Sequence, residues 1–176
     1  GTPEMDDRTS RSDLERRLDE VEAALRAKDE ELRESEARLR TLVEGLPQPV
    51  WRSDGEGRWS WASPQWSTYT GRAVGSGDGH AWLDAVHPAD RTAVLEAWRE
   101  ARNGDRFRAD HRLWHTSEGR YRWVQSHALP VRNGPQPGPP VGGSAEWIGT
   151  TTDVEELRRA QEQRILIQEL HHRGRN

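Results

Sequence analysis

Cysteine is absent from the 176 residues, which removes disulfides, cysteine-based metal sites and covalent thiol adducts and fits a reducing compartment. No run of about 18 apolar residues occurs and no signal peptide is visible, so the expectation is a soluble cytoplasmic chain without a membrane span. Charge of neither sign dominates. The 30 acidic and 26 basic residues leave a net −4, and without a basic stripe a general nucleic-acid or anionic-membrane surface is excluded. Hydrophobic residues make up 32%, no more than charged ones. That is too polar for a single compact globule, so part of the chain is expected as extended helix. Phenylalanine occurs once and tyrosine twice, against nine tryptophans; those indoles must fill whatever core the chain has.

What is present first is a heptad seam. Leu14, Leu18, Val21, Leu25, Lys28, Leu32, Ser35, Leu39 and Leu42 alternate spacings of four and three without a slip. Neither proline nor glycine interrupts residues 12–44. A stripe this narrow, with polar Lys28 and Ser35 among leucines, predicts a two-stranded coiled coil whose register the polar positions fix; a parallel homodimer is expected, against the alternative of a lone amphipathic helix. Residues 1–11 are expected as a tag remnant and disordered N-terminus, since Gly1 to Glu4 precede Met5. Gly45, Pro47 and Pro49 end the helix.

From 45 to 153 the punctuation is that of a small mixed domain. Val50–Ser53 and Arg58–Ala62 flank Asp54-Gly55-Glu56-Gly57 and predict a hairpin, with Trp59 and Trp61 on one strand face. Pro64, Trp66, Tyr69 and Gly71 suggest a short helix and turn, followed by a glycine-rich loop, Gly75–Gly79. His87-Pro88-Ala89-Asp90 opens a helix carrying Val94, Leu95 and Trp98 and ending near Asn103-Gly104. Strands are expected at Phe107–His115, Tyr121–Val131 and Ala145–Thr152, with a proline- and glycine-rich loop at Arg132–Gly143. The result is an α+β domain with a five-stranded antiparallel sheet. Seven histidines invite a metal, and His111 and His115 share a strand face, but a surface pair accounts for them; no metal site is expected.

In that order and spacing, Trp66, Tyr69, Gly71, His87-Pro88-Ala89-Asp90, Arg112, Gly119, Arg122, Trp123 and Thr152-Asp153-Val154 resemble a PAS domain. The resemblance implies a sheet and small helices that can enclose a ligand, of unknown identity here, and a last strand that feeds an output helix, with Thr152 and Asp153 transmitting the signal. Haem-binding relatives use a histidine on the long helix, and Pro88–Arg102 has none, so haem is not expected. The missing cysteine excludes a thiol photoadduct but leaves non-covalent flavin open.

Residues 154–176 continue as a linker helix whose Leu157, Ala160, Arg164, Ile167 and His171 again alternate three and four. It ends in Glu169-Leu170-His171-His172-Arg173-Gly174-Arg175-Asn176. This resembles the phosphoacceptor box of sensor histidine kinases of the HWE-like group, Glu-Leu-x-His-Arg-x-Lys/Arg-Asn. The resemblance makes His172 the phosphorylated residue, with Arg173 and Asn176 in the box, and implies ATP as the phosphoryl donor and a response regulator as partner of a bacterial two-component parent. Neutral imidazole can attack a γ-phosphoryl group. Glu169 lies three residues back on the same helix face and can orient the ring. No ATP-binding segment follows, so this stretch is expected to be inactive alone. The alternative is a noncatalytic PAS dimerisation or ligand-binding module with a basic helix end beside the C-terminal dipole.

Overall fold

The computed structural model describes residues 3–73, 79–104, 106–131 and 146–175, without the side chains of 3–7. It divides into two units, Gly1–Gly45 and Leu46–Asn176. The first is a single helix, α1 (Pro3–Gly45). It begins well before the boundary expected at residue 12 because Pro3 can occupy a first turn and no glycine or further proline follows until Gly45. Ion pairs at i,i+3 and i,i+4, such as Arg16 with Asp13 and Arg26 with Glu22, stabilise its surface by about 0.3–0.5 kcal/mol each. They cannot replace a core. Val21 and the leucines of the seam are between 56% and 66% exposed.

The second unit runs β1 (Val50–Ser53), β2 (Trp59–Ala62), α2 (Pro64–Thr70), two short 3-10 turns (Ala81–Ala85 and Pro88–Asp90), α3 (Arg91–Ala101), β3 (Phe107–His115), β4 (Arg120–Pro130), β5 (Trp147–Asp153) and α4 (Glu155–Arg173). The five strands form one antiparallel sheet in the order β2-β1-β5-β4-β3, the architecture expected. Of three expected segments, residues 75–78 of the glycine-rich loop, all of the loop Arg132–Gly143 and the strand residue Ala145 lie outside the described residues.

Local chemistry sets most boundaries. Pro64 opens α2 and Gly71, at φ 70°, closes it by donating its N–H to the Ser67 carbonyl (2.8 Å). A β-carbon there would lie 2.7 Å from the Thr116 hydroxyl, so glycine serves both the left-handed backbone and the close approach. His87 Nδ1 accepts from the Ala89 N–H (3.1 Å), capping the turn that leads into α3.

The pairing of β1 with β2 corrects one expectation. Ser53 lies opposite Trp59 and Arg52 opposite Trp61, so one residue is inserted between these pairs. This β-bulge reverses side-chain parity. Trp59 points into the core, whereas Trp61 lies outside beneath the Arg52 guanidinium (5.6 Å). A second correction concerns His111: it is 2% exposed and belongs to the inward row of β3 with Phe107, Ala109 and Leu113, not to a surface pair with His115.

Six of the nine tryptophans, at 51, 59, 66, 82, 98 and 147, are buried together with Phe107, Val94 and Leu113. Trp51 stacks on Trp59 (4.7 Å, 11°), Trp59 on Trp82 (5.2 Å, 13°) and Trp98 on Phe107 (4.0 Å, 11°). Each such side chain removes about 150–250 Å² from water, a gross gain of roughly 4–6 kcal/mol. The indoles are therefore the core between the sheet and α2 and α3.

Candidate functional site

Among the described residues of the second unit, polar chemistry bearing on function lies in the interior of the sheet, at the junction of β5 with α4, and at the end of α4. Inside, a chain of hydrogen bonds crosses four strands. Trp51 Nε1 on β1 donates to Thr151 Oγ1 on β5 (3.0 Å); Thr151 bonds Ser126 Oγ on β4 (3.0 Å); Ser126 bonds His111 Nε2 on β3 (3.0 Å). Burial pushes the His111 pKa down to about 4, the nearby Arg112 carbonyl and the Asp90 and Asp110 charges opposing it only in part. The ring is therefore neutral at pH 7, where the network holds it as a structural member. Around it, Trp51, Trp59, Trp66, Trp98, Ser126 and Thr151 enclose a void of about 10 Å³. That is the lower edge of what one water needs, while pockets for organic ligands run to roughly 300–1,000 Å³.

Among the described residues no group of three or more histidine, aspartate or glutamate side chains is placed to hold a metal. His115, the other member of the expected pair, accepts from the Glu118 N–H through Nδ1 (3.2 Å) and packs its ring against Tyr69 (4.5 Å).

At the junction, Asp153 collects four donors. Tyr69 Oη (2.5 Å), Arg122 Nε (2.7 Å) and Nη2 (3.1 Å), and the Glu155 N–H (3.0 Å) all point at its carboxylate. Burial alone would raise the Asp153 pKa; the hydrogen bonds from Arg122, Tyr69 and Glu155 outweigh it and leave the carboxyl below its ordinary value. Tyr69 is driven far above its usual range, by burial first and then by its bond to Asp153. Arg122 is 8% exposed and also grips Glu118 through Nη1 (3.1 Å to both oxygens). The next turn is tied as well: Glu155 accepts from the Trp123 N–H (2.7 Å), and the Val154 N–H donates to the Trp123 carbonyl (2.9 Å). A cavity of about 50 Å³ lies beside Asp153, lined by Tyr69, Thr151, Leu113, Val124 and the Pro47–Pro49 entry segment.

The expected pair Thr152 and Asp153 is thus divided. Asp153 is the centre of the junction, whereas Thr152 is half-buried opposite Gln125 in the ladder and takes no part in the network. The sequence reading did not find the partners Glu118 and Glu155 or the buried Thr151 and Ser126, and it placed His111 on the surface. One signal could have found some of them. Arg122, Ser126 and His111 occupy inward-parity positions in otherwise apolar alternations, and a polar residue in such a row must find a partner.

α4 leaves the junction with Glu155 and Glu156 in its first turn and His171, His172 and Arg173 in its last, both favourable to the helix dipole. Glu169, His171, His172 and Arg173 are all exposed, and no hydrogen bond or ion pair joins them among the described residues. The helix closes where Gly174 donates to the Leu170 carbonyl (3.0 Å). Asn176 lies outside the described residues. Leu157, Ile165, Leu166, Ile167 and Leu170 are between 53% and 60% exposed.

Comparison with known proteins places this geometry. Residues 54–138 match the family model described as PAS fold. The chain is 32% identical over 149 residues to the uncharacterized protein y4lL of Sinorhizobium fredii, covering 84% of this chain and 17% of that protein. It is 28% identical over 136 residues to the peroxide stress-activated histidine kinase mak1 of Schizosaccharomyces pombe, covering 73% of this chain and 8% of that protein. It therefore spans less than a fifth of the length of either curated relative. Among solved structures, a PAS domain of an HTR-like protein from Haloarcula marismortui superposes with a TM-score of 0.53 at 16% identity, over 73% of this chain and 98% of that one.

Proposed function

We propose that this chain, a PAS domain set between two long helices, is the sensory and dimerisation part of a sensor histidine kinase of the HWE-like group. The observation that carries the reading is the continuity of α4: one helix runs from the Asp153 junction to His172, so a change at the end of the central strand β5 can be delivered to the box as a shift or rotation. The match to a named histidine kinase supports it. The exposed seams of α1 and α4 suit a parallel homodimer, in which they would be buried. The parent acts in the cytoplasm, uses ATP and hands the phosphoryl group to a response regulator.

In the proposed reaction a neutral His172 nitrogen attacks the γ-phosphorus of ATP. The N–P bond forms as the bond to the β–γ bridging oxygen breaks, ADP leaves, and the ring gives up its other proton. Glu169 orients the imidazole, with Arg173 and Asn176 completing the box. Adjacent residues on a helix point about 100° apart. His171 continues the seam of Leu157, Ala160, Arg164 and Ile167, which leaves His172 outward for in-line transfer. In the full-length parent supplied with labelled ATP, His172→Gln abolishes acid-labile phosphate, whereas His171→Gln retains part of it. Label that survives the first substitution and disappears in the second overturns the assignment. Label indifferent to both returns the chain to a noncatalytic PAS module.

A further inference from the structure

The junction at Asp153 holds the end of β5, but a different contact holds the direction of α4. Trp123 projects from the outer face of β4, between the inward-facing Arg122 and Val124. Its ring carries two guanidinium groups: that of Arg158, in the first turn of α4, 3.8 Å from the centroid, and that of Arg112 on β3, 5.4 Å away. The two cations differ in what else holds them. Arg112 is fastened to Asp90 by its backbone N–H (2.8 Å), Nε (3.0 Å) and Nη2 (2.8 Å), and Asp90 immediately precedes α3. Arg158 has no carboxylate within ion-pair distance among the described residues, so the indole is what localises it. The backbone of Trp123 meets the same turn through the Glu155 carboxylate and the Val154 N–H.

Resting on α4 as the output helix, we propose that Trp123 is a positioning residue, coupling the start of α3 to the first turns of α4 through the series Asp90, Arg112, Trp123, Arg158. Movement of α3, whose Val94 and Trp98 lie in the core, shifts Asp90 and with it Arg112. The indole that Arg112 flanks is the surface on which Arg158 rests. The core therefore reaches the output helix by a route separate from the Tyr69–Asp153–Arg122 junction.

Amide hydrogen exchange on the whole 176-residue chain tests this by a double-mutant cycle. Arg158→Gln, at a half-buried site, accelerates exchange in residues 155–163 about two- to fivefold, the size of an exposed cation–π contact. Asp90→Asn, on the far side of the ring, accelerates the same amides to a lesser degree, and adds nothing once Arg158 is Gln. Trp123→Leu reproduces the Arg158→Gln pattern; if that core-adjacent change unfolds the sheet, the Asp90 and Arg158 cycle decides alone. Exchange in 155–163 that ignores Asp90→Asn, or effects of Asp90→Asn and Arg158→Gln that simply add, overturns the coupling. A parent kinase without label on His172 leaves the exchange result standing, and a failed cycle leaves the His172 assignment standing.

Discussion

Acid should loosen this domain through one buried ring before the carboxylates titrate. In the unfolded chain His111 regains a pKa near 6.5, while in the fold burial holds it at about 4. A depressed folded value means that the unfolded state binds the proton more tightly. The contribution of His111 is therefore fully present above pH 6.5 and is lost progressively as the pH falls toward 4. Each unit of that interval costs about 1.36 kcal/mol, so at pH 5 the loss is about 2 kcal/mol, a large share of the 5–15 kcal/mol typical of a domain. With a guanidinium-chloride slope of about 2–6 kcal/mol/M, the unfolding midpoint moves down by roughly 0.5 M between pH 7 and pH 5. Tryptophan fluorescence isolates the right unit, because all nine indoles lie between residues 51 and 147 and α1 is silent. The control is His111→Gln, which keeps hydrogen-bonding capacity toward Ser126 and cannot titrate. Asp153 and Asp90, whose carboxyls also lie below their ordinary values, act equally in both proteins and cancel. Parallel midpoint curves for the two proteins from pH 7 to pH 5 would show that His111 is not buried as a neutral ring.

Two further outcomes follow from packing. Gly149→Ala places a β-carbon against the Trp51 ring and 2.7 Å from the His127 carbonyl oxygen; neither can yield cheaply, so the domain loses about 1–3 kcal/mol and melts several degrees lower, and an unchanged melting temperature refutes the close approach. Lys28→Leu in the α1 seam should tighten dimerisation, because a polar core position gives up stability for register; equal dissociation constants for the two proteins by sedimentation would remove that seam from the interface.

The fold was largely legible because its punctuation is strong: Pro64, Gly71, Pro88 and Gly119 each sit at an element boundary, and each acts through backbone geometry that a sequence states directly. Parity within a strand is less direct. It is set by register, and one inserted residue between the pairs Ser53–Trp59 and Arg52–Trp61 turned Trp61 outward with no change in the local pattern of residue types. His111 failed for the opposite reason, since Phe107, Ala109 and Leu113 at the same parity already assigned it to the interior, and only the habit of reading histidine as a surface residue argued otherwise. The junction was half legible. Asp153, Tyr69 and Arg122 were each named through the resemblance to a PAS domain, but that they meet was not, because Tyr69 and Arg122 stand 84 and 31 positions from Asp153 and distance along the chain erases spacing as a signal. What survives that distance is cost. A charge at an inward position is expensive unless paired, so Arg122 in the row of Val124, Ser126 and Ala128 demanded acids near the sheet end; Asp153, one strand over and the last residue of β5, and Glu118, in the turn before β4, meet that demand.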